Sequence, residues 1–129
     1  MSNKRLREIV GSMQDLLAEA SRLLPLEDDM EEGEYLLTRV LDQVCPTFSV
    51  ERGRILGRRR DDQTALARQV VMFILVDDFQ LTPSYVGRLL NRNHATVVHG
   101  VERVRGYLGD KSGTSDKIEG IRASLELGD

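Results

Sequence analysis

No tryptophan occurs in this chain, and 129 residues hold one cysteine, three prolines, two histidines and six aromatics. The aromatics are Tyr35, Phe48, Phe73, Phe79, Tyr85 and Tyr107, and several fall at core positions. Few faces remain on which unpaired bases could stack, which argues against a single-stranded nucleic acid as partner. The lone Cys45 cannot close an internal disulfide, which fits a reducing, cytoplasmic setting. His94 and His99 sit about 140° apart around a helix and share no ligand face, so no metal is expected. No apolar run approaches the ~18 residues of a membrane span, and the charged N-terminus lacks a signal-peptide pattern, so no membrane partner is expected. A Gly-x-x-x-x-Gly-Lys-Ser/Thr phosphate loop is absent, and the length does not accommodate an ATPase domain. No nucleotide or other cofactor is expected. No nucleophile–base or carboxylate pair is spaced for chemistry, and the chain reads as a non-enzyme.

Charge of one sign is scarce only locally. The net charge is −3, but residues 1–51 carry 5 Lys/Arg against 11 Asp/Glu, whereas residues 52–105 carry 10 arginines against 5 Asp/Glu. Residues 106–129 return to 3 against 5. The basic segment contains no lysine, and the planar guanidinium suits phosphate and guanine edges. Such segregation informs about partners more than the sum does.

Apolar spacing predicts an all-α chain in two parts: 1–34, an amphipathic helix with an acidic linker, and 35–129, a compact helical domain. The first helix, Leu6–Leu24, places Leu6, Ile9, Val10, Met13, Leu16, Leu17, Ala20, Leu23 and Leu24 at heptad a, d and e positions. It either folds back on the domain or serves as a homodimer or partner-binding helix. Glu27–Glu34 holds six carboxylates and reads as a solvated, mobile linker without the ligand spacing of a calcium loop. A helix over Tyr35–Val44 should end at Cys45-Pro46, followed by a short helix at Glu51–Leu56. Arg58, Arg59 and Arg60 form a loop before a long, central helix over Thr64–Asp78.

Thr82-Pro83 marks a helix start, with a capping hydroxyl and a proline at the first helical position. Asn91-Arg92-Asn93 is a tight turn, and Asn93 caps a second helix over His94–Leu108. The pair is a helix-turn-helix, a frame that lays its second helix in a major groove. Val97, Val101, Val104 and Leu108 form its core stripe, while Ala95, Thr96, His99, Glu102 and Arg103 lie opposite. Small and polar residues in the first turn let the backbone approach base edges. Thr96 suits a phosphate or a thymine methyl, and Arg103 suits the phosphate backbone. Gly109 stands where a left-handed C-terminal residue is expected. Ser115 is placed to cap a last helix running to Leu127.

Arg58-Arg59-Arg60, Ala65-Leu66-Ala67-Arg68-Gln69, Val86-Gly87 and Arg92-Asn93-His94-Ala95-Thr96-Val97-Val98-His99-Gly100 follow one another in a familiar order. The chain over about 35–125 thereby resembles the C-terminal DNA-binding domain of the bacterial replication initiator DnaA, a Trp-repressor-like helix-turn-helix, here as a stand-alone protein without the ATPase domain. The resemblance implies that Arg60 enters a minor groove and that Asn93, His94, Ala95 and Thr96 read a major groove. It implies that Arg68, Gln69, Pro83, His99 and Arg103 hold phosphates or the supporting frame. Two residues depart from the usual pattern: Asn93 replaces an Asp, which suggests a turn toward adenine edges, and Ala95 replaces a Thr. The turn before Arg92 is also one residue shorter than in many members.

The leading expectation is a sequence-preferring double-stranded DNA-binding protein acting in replication or transcription control. The alternative is a protein-interaction module that uses the acidic, heptad-bearing N-terminus, with DNA binding weak or masked by that acidic arm.

Overall fold

The structure, a computed structural model, describes residues 27–109 and 113–126. The Leu6–Leu24 helix and its assigned dimer or partner role lie outside the described residues. Six helices and no strand occur among the described residues: α1 Glu27–Phe48, α2 Arg52–Leu56, α3 Asp62–Phe73, α4 Pro83–Leu90, α5 His94–Leu108 and α6 Gly113–Ser124. A π-helical turn, Ile74–Asp78, continues α3. Residues Gly33–Gly128 make one compact unit, and all of the packing below lies within it.

The α1 helix corrects two expectations. Its first turns include Glu27–Glu34, where the sequence suggests a mobile linker. Carboxylates are favourable near a helix N-terminus, where the macrodipole is positive. The helix also passes through Pro46 to Phe48 instead of stopping before it. Proline removes a single donor there, and the end is closed in other ways. The Thr47 hydroxyl donates to the Gln43 carbonyl at 2.7 Å. Ser49 turns left-handed (φ 55°), and the Val50 amide returns to the Cys45 carbonyl at 3.0 Å. That is the six-to-one bond of a Schellman cap, and it leaves Val44, Phe48 and Val50 all buried.

The α3 helix is central, as its composition suggests. Ala67, Val70, Val71, Met72 and Phe73 are buried in it, and Ile74 and Leu75 continue the core into the π turn. Leu37, Val40, Leu41 and Val44 of α1, Val86 and Leu90 of α4, Val97, Val101 and Val104 of α5, and Ile118 and Ile121 of α6 complete one cluster. The wide turn is defined by the Phe79 amide bonding to the Ile74 carbonyl at 3.0 Å, an i to i+5 closure. No residue pattern announces it. Its consequence is to set two neighbouring carboxylates on two different helices. Asp77 takes the Arg105 fork of α5 at 2.5 and 2.8 Å, and Asp78 takes the Arg122 fork of α6 at 2.8 and 3.1 Å. Asp78 is buried, and desolvation pushes its carboxyl up from the ordinary range in spite of the Arg122 hydrogen bonds.

The C-terminal expectations needed adjustment. Gly109 is not left-handed: its φ is −87°, and its N–H turns back to the Tyr107 carbonyl. The left-handed positions fall on Ser49, Gln80, Asn91 and Glu126. The α6 helix starts at Gly113, so Ser115 lies inside it and does not cap it. The Ser115 hydroxyl instead reaches back to the Leu108 carbonyl at 3.4 Å.

Asp61 caps α3. Its Oδ2 accepts from the Thr64 hydroxyl at 2.8 Å and from the Thr64 amide at 3.1 Å. These bonds, the hydroxyl first, hold the Asp61 carboxyl down at about 2, against an ordinary 3.8. Because the folded value lies below the unfolded one, the cap contributes in full above about pH 4 and is lost as pH falls toward 2. We expect an NMR titration of Asp61 to show a midpoint near 2. Asp61→Asn should flatten the stability–pH slope between those limits, and an Asp61 midpoint at the ordinary value would contradict the cap.

Candidate nucleic-acid interface

The helix-turn-helix is built by local chemistry. Thr82 Oγ1 accepts the Tyr85 amide at 3.2 Å and Pro83 is the first residue of α4. Asn91 takes the left-handed conformation (φ 54°) that ends α4. The turn then closes with the Arg92 amide on the Gly87 carbonyl at 2.7 Å. This closure requires glycine. A Cβ on residue 87 would lie 2.5 Å from the Arg92 carbonyl oxygen. Asn93 Oδ1 accepts the Ala95 amide at 2.9 Å and opens α5. The helix turns Val97, Gly100, Val101 and Val104 inward and leaves His94, Ala95, Thr96, His99 and Arg103 exposed.

Farther along, α5 crosses α3 at Gly100. A Cβ there would meet Met72 Sδ at 2.9 Å and Gln69 Cγ at 3.2 Å. Gln69 is therefore a half-buried part of the frame under the recognition helix.

The arginine loop is fixed to the same frame from beneath. Arg68, on α3, is buried. It donates from Nε to the Ile55 carbonyl at 2.7 Å, and from Nη2 to the carbonyls of Arg54 at 2.9 Å and Gly57 at 3.2 Å. Arg92, in the turn, donates to the carbonyls of Leu90 (3.1 Å) and Asn91 (3.2 Å), and its Nη2 reaches the same Gly57 carbonyl. Two cations, one from α3 and one from the turn, thus converge on one backbone oxygen at the root of the loop. Burial, and then the Arg92 charge, push the Arg68 guanidinium down from its usual value. Arg58, Arg59 and Arg60 project from the loop above it, all exposed, and Arg59 has Asp61 at 3.3 Å.

These groups enclose a cleft of about 370 Å³ lined by Arg58, Arg59, Arg60, Arg68, Asn91, Arg92 and Thr96. The residues singled out in the sequence therefore fall into three sets. Six of them line the cleft together. Asn93, His94, Ala95, His99 and Arg103 lie along the exposed side of α5. Pro83 and Gln69 belong to the frame, as half-buried residues of α4 and α3. Sequence reasoning missed Asn91 and Gly57. An asparagine at the end of a helix is a recognised left-handed stop and was readable. The Gly57 carbonyl, a backbone acceptor, carries no side-chain signal at all. Among the described residues no group of three or more His, Cys, Asp or Glu could hold a metal ion, and no helix is long and apolar enough to cross a membrane.

Residues 37–104 match the family described as the bacterial DnaA protein helix-turn-helix. Similar curated proteins include the chromosomal replication initiator protein DnaA of Thermomicrobium roseum, 28% identical over 134 residues, covering 93% of this chain and 29% of that protein. The protein of the same name from Bacteroides fragilis is 24% identical over 138 residues, covering 96% and 29%. That of Leptospira biflexa is 26% identical over 88 residues, covering 68% and 20%. The chain thus spans less than a third of the length of the relatives it matches.

Proposed function

Because the chain belongs to the bacterial DnaA helix-turn-helix family, we propose that it binds double-stranded DNA with sequence preference and acts in the control of replication or transcription by occupying initiator-type boxes. The observation that carries the reading is the cleft. Five arginines and Thr96 converge where the loop meets the first turn of the recognition helix. Guanidinium groups gathered here repel one another: after burial, the Arg92 charge also pushes the Arg68 guanidinium down. A backbone phosphate seated among them removes that repulsion and makes charge-assisted hydrogen bonds.

The division of labour follows. With α5 in a major groove, Asn93, His94, Ala95 and Thr96 face base edges. Arg58, Arg59 and Arg60 reach the flanking backbone, and Arg60 enters the adjacent minor groove. Arg103, two turns along α5, meets phosphate. Arg68 and Arg92 hold the loop against the helix so that both grooves are engaged at once.

Arg60→Ala and Thr96→Ala separate base reading from general attraction. Each is expected to weaken binding to a duplex carrying the box by about 1–3 kcal/mol, roughly 5- to 150-fold, if it removes a good base contact. Arg103→Ala should lower affinity for box and scrambled duplexes alike, because phosphate contacts carry no sequence information. Titrations in which both Arg60→Ala and Thr96→Ala bind the box as the wild type does would overturn the assignment.

A further inference from the structure

The short helix α2 carries three residues that the fold itself does not use. Arg52, Gly53 and Arg54 are all exposed, and neither arginine side chain makes a hydrogen bond or an ion pair among the described residues. Arg52 is the first residue of the helix, at the positive end of its dipole, where a cation is unfavourable. Glu51 before it makes no side-chain cap bond, and the first turn holds no carboxylate. Gly53 weakens a helix of only five residues. No packing requires it, because a Cβ there would meet nothing within 4 Å. Local choices that break helix preference with no internal gain are characteristic of functional surfaces.

The three residues also form a pattern. At roughly 100° per residue, Gly53 falls nearly opposite the buried Ile55, and Arg52 and Arg54 flank it on either side. A bare strip of backbone is thus bordered by two guanidinium groups. Glycine admits close approach to a backbone, and the guanidinium fork matches phosphate. The strip is held in register with the cleft. Arg68, which lines the cleft, is bonded to the carbonyls of Arg54, Ile55 and Gly57, and the exposed Arg58 follows directly.

We propose that α2 is a further backbone contact for the bound duplex. A sugar–phosphate strand continuing from the cleft crosses Gly53, and Arg52 and Arg54 hold phosphates on its two sides. The inference rests on the duplex-DNA reading above and extends its footprint. These contacts add affinity and salt dependence, and they carry no base information.

The test compares the full chain with the double variant Arg52→Gln/Arg54→Gln by fluorescence anisotropy, on box and scrambled duplexes over a series of salt concentrations. Glutamine forms helix about as well as arginine, and the melting temperature is expected to stay the same or rise slightly. The variant should bind both duplexes more weakly by one common factor. The slope of log K against log salt should fall in magnitude by about 0.9 for each phosphate lost, roughly 2 in all. Arg39→Gln, which removes one charge from α1, should leave the slope as it is. An unchanged slope in the double variant would give α2 to solvent or to an acidic protein partner and overturn the inference, with duplex binding left standing. So would an equal loss per charge in Arg39→Gln, which would reduce the effect to net charge. A loss confined to the box duplex would make the arginines base readers and overturn it as well. No duplex binding by the wild type would overturn the parent reading too.

Discussion

Replacing Arg68 with methionine is expected to lower stability by about 3 kcal/mol and to release the arginine loop. Charge-assisted hydrogen bonds contribute on the order of 1.5–3 kcal/mol each, and a buried acceptor left without a partner costs about 1–3 kcal/mol. Arg68 supplies donors to three carbonyls, those of Arg54, Ile55 and Gly57, from a buried position. Methionine fills much of the volume and meets none of them. Water can reach part of this site, which keeps the expected figure below the sum of three bonds. Urea denaturation measures the loss. Hydrogen exchange at residues 54–60 measures whether the loop opens before the core. A variant as stable as the wild type, with an unchanged loop, would show that the α2 turn and loop root hold without this clamp.

The second large effect is expected from Gly87→Ala. The added methyl would sit 2.5 Å from the Arg92 carbonyl oxygen and 3.5 Å from the His94 amide nitrogen. Both are backbone atoms, so no side chain can swing aside to make room. Overpacking of this kind costs about 1–3 kcal/mol. Relief requires the turn Asn91–Asn93 to move, and with it the Arg92 bonds to Gly57 and the cap at Asn93. Box affinity is therefore expected to fall more than a loss of global stability explains. Measuring binding well below the melting temperature separates the two. A Gly87→Ala protein with wild-type stability and affinity would mean that the helix-turn-helix tolerates a wider turn.

How much of this was legible in the sequence differs by element. The helix-turn-helix was read to the residue, because Thr82, Pro83 and Asn93 are local signals whose chemistry acts on their own neighbours. The core stripe of α5 followed from helical spacing, and Val97, Val101 and Val104 are indeed buried. Pro46 and the acidic stretch misled because both are weak local preferences. Burial of Val44 and Phe48 and a left-handed Ser49 override the first, and the helix dipole favours the second. The π turn at Ile74–Asp78 was invisible because no local residue pattern marks it, and the partners that its two carboxylates reach, Arg105 and Arg122, lie on helices distant in the chain.

In the candidate site, the residues were legible but not their division of labour. Composition marked Arg58, Arg59, Arg60, Arg68 and Arg92 alike as basic residues in a basic segment. Their geometry separates them. Three are exposed on the loop, and two are bound to backbone carbonyls beneath it. The distinction depends on the Gly57 carbonyl, which only the folded chain brings to Arg68 and Arg92 together.

Fluorescence anisotropy with a labelled duplex carrying an initiator-type box, against a scrambled duplex of equal length, at low and moderate salt, is the most direct test of the DNA reading. The cleft and the first turn of α5 predict a clear preference for the box that persists as salt rises, on top of a salt-dependent loss shared by both duplexes. Absence of binding to either duplex, even at low salt, would contradict it.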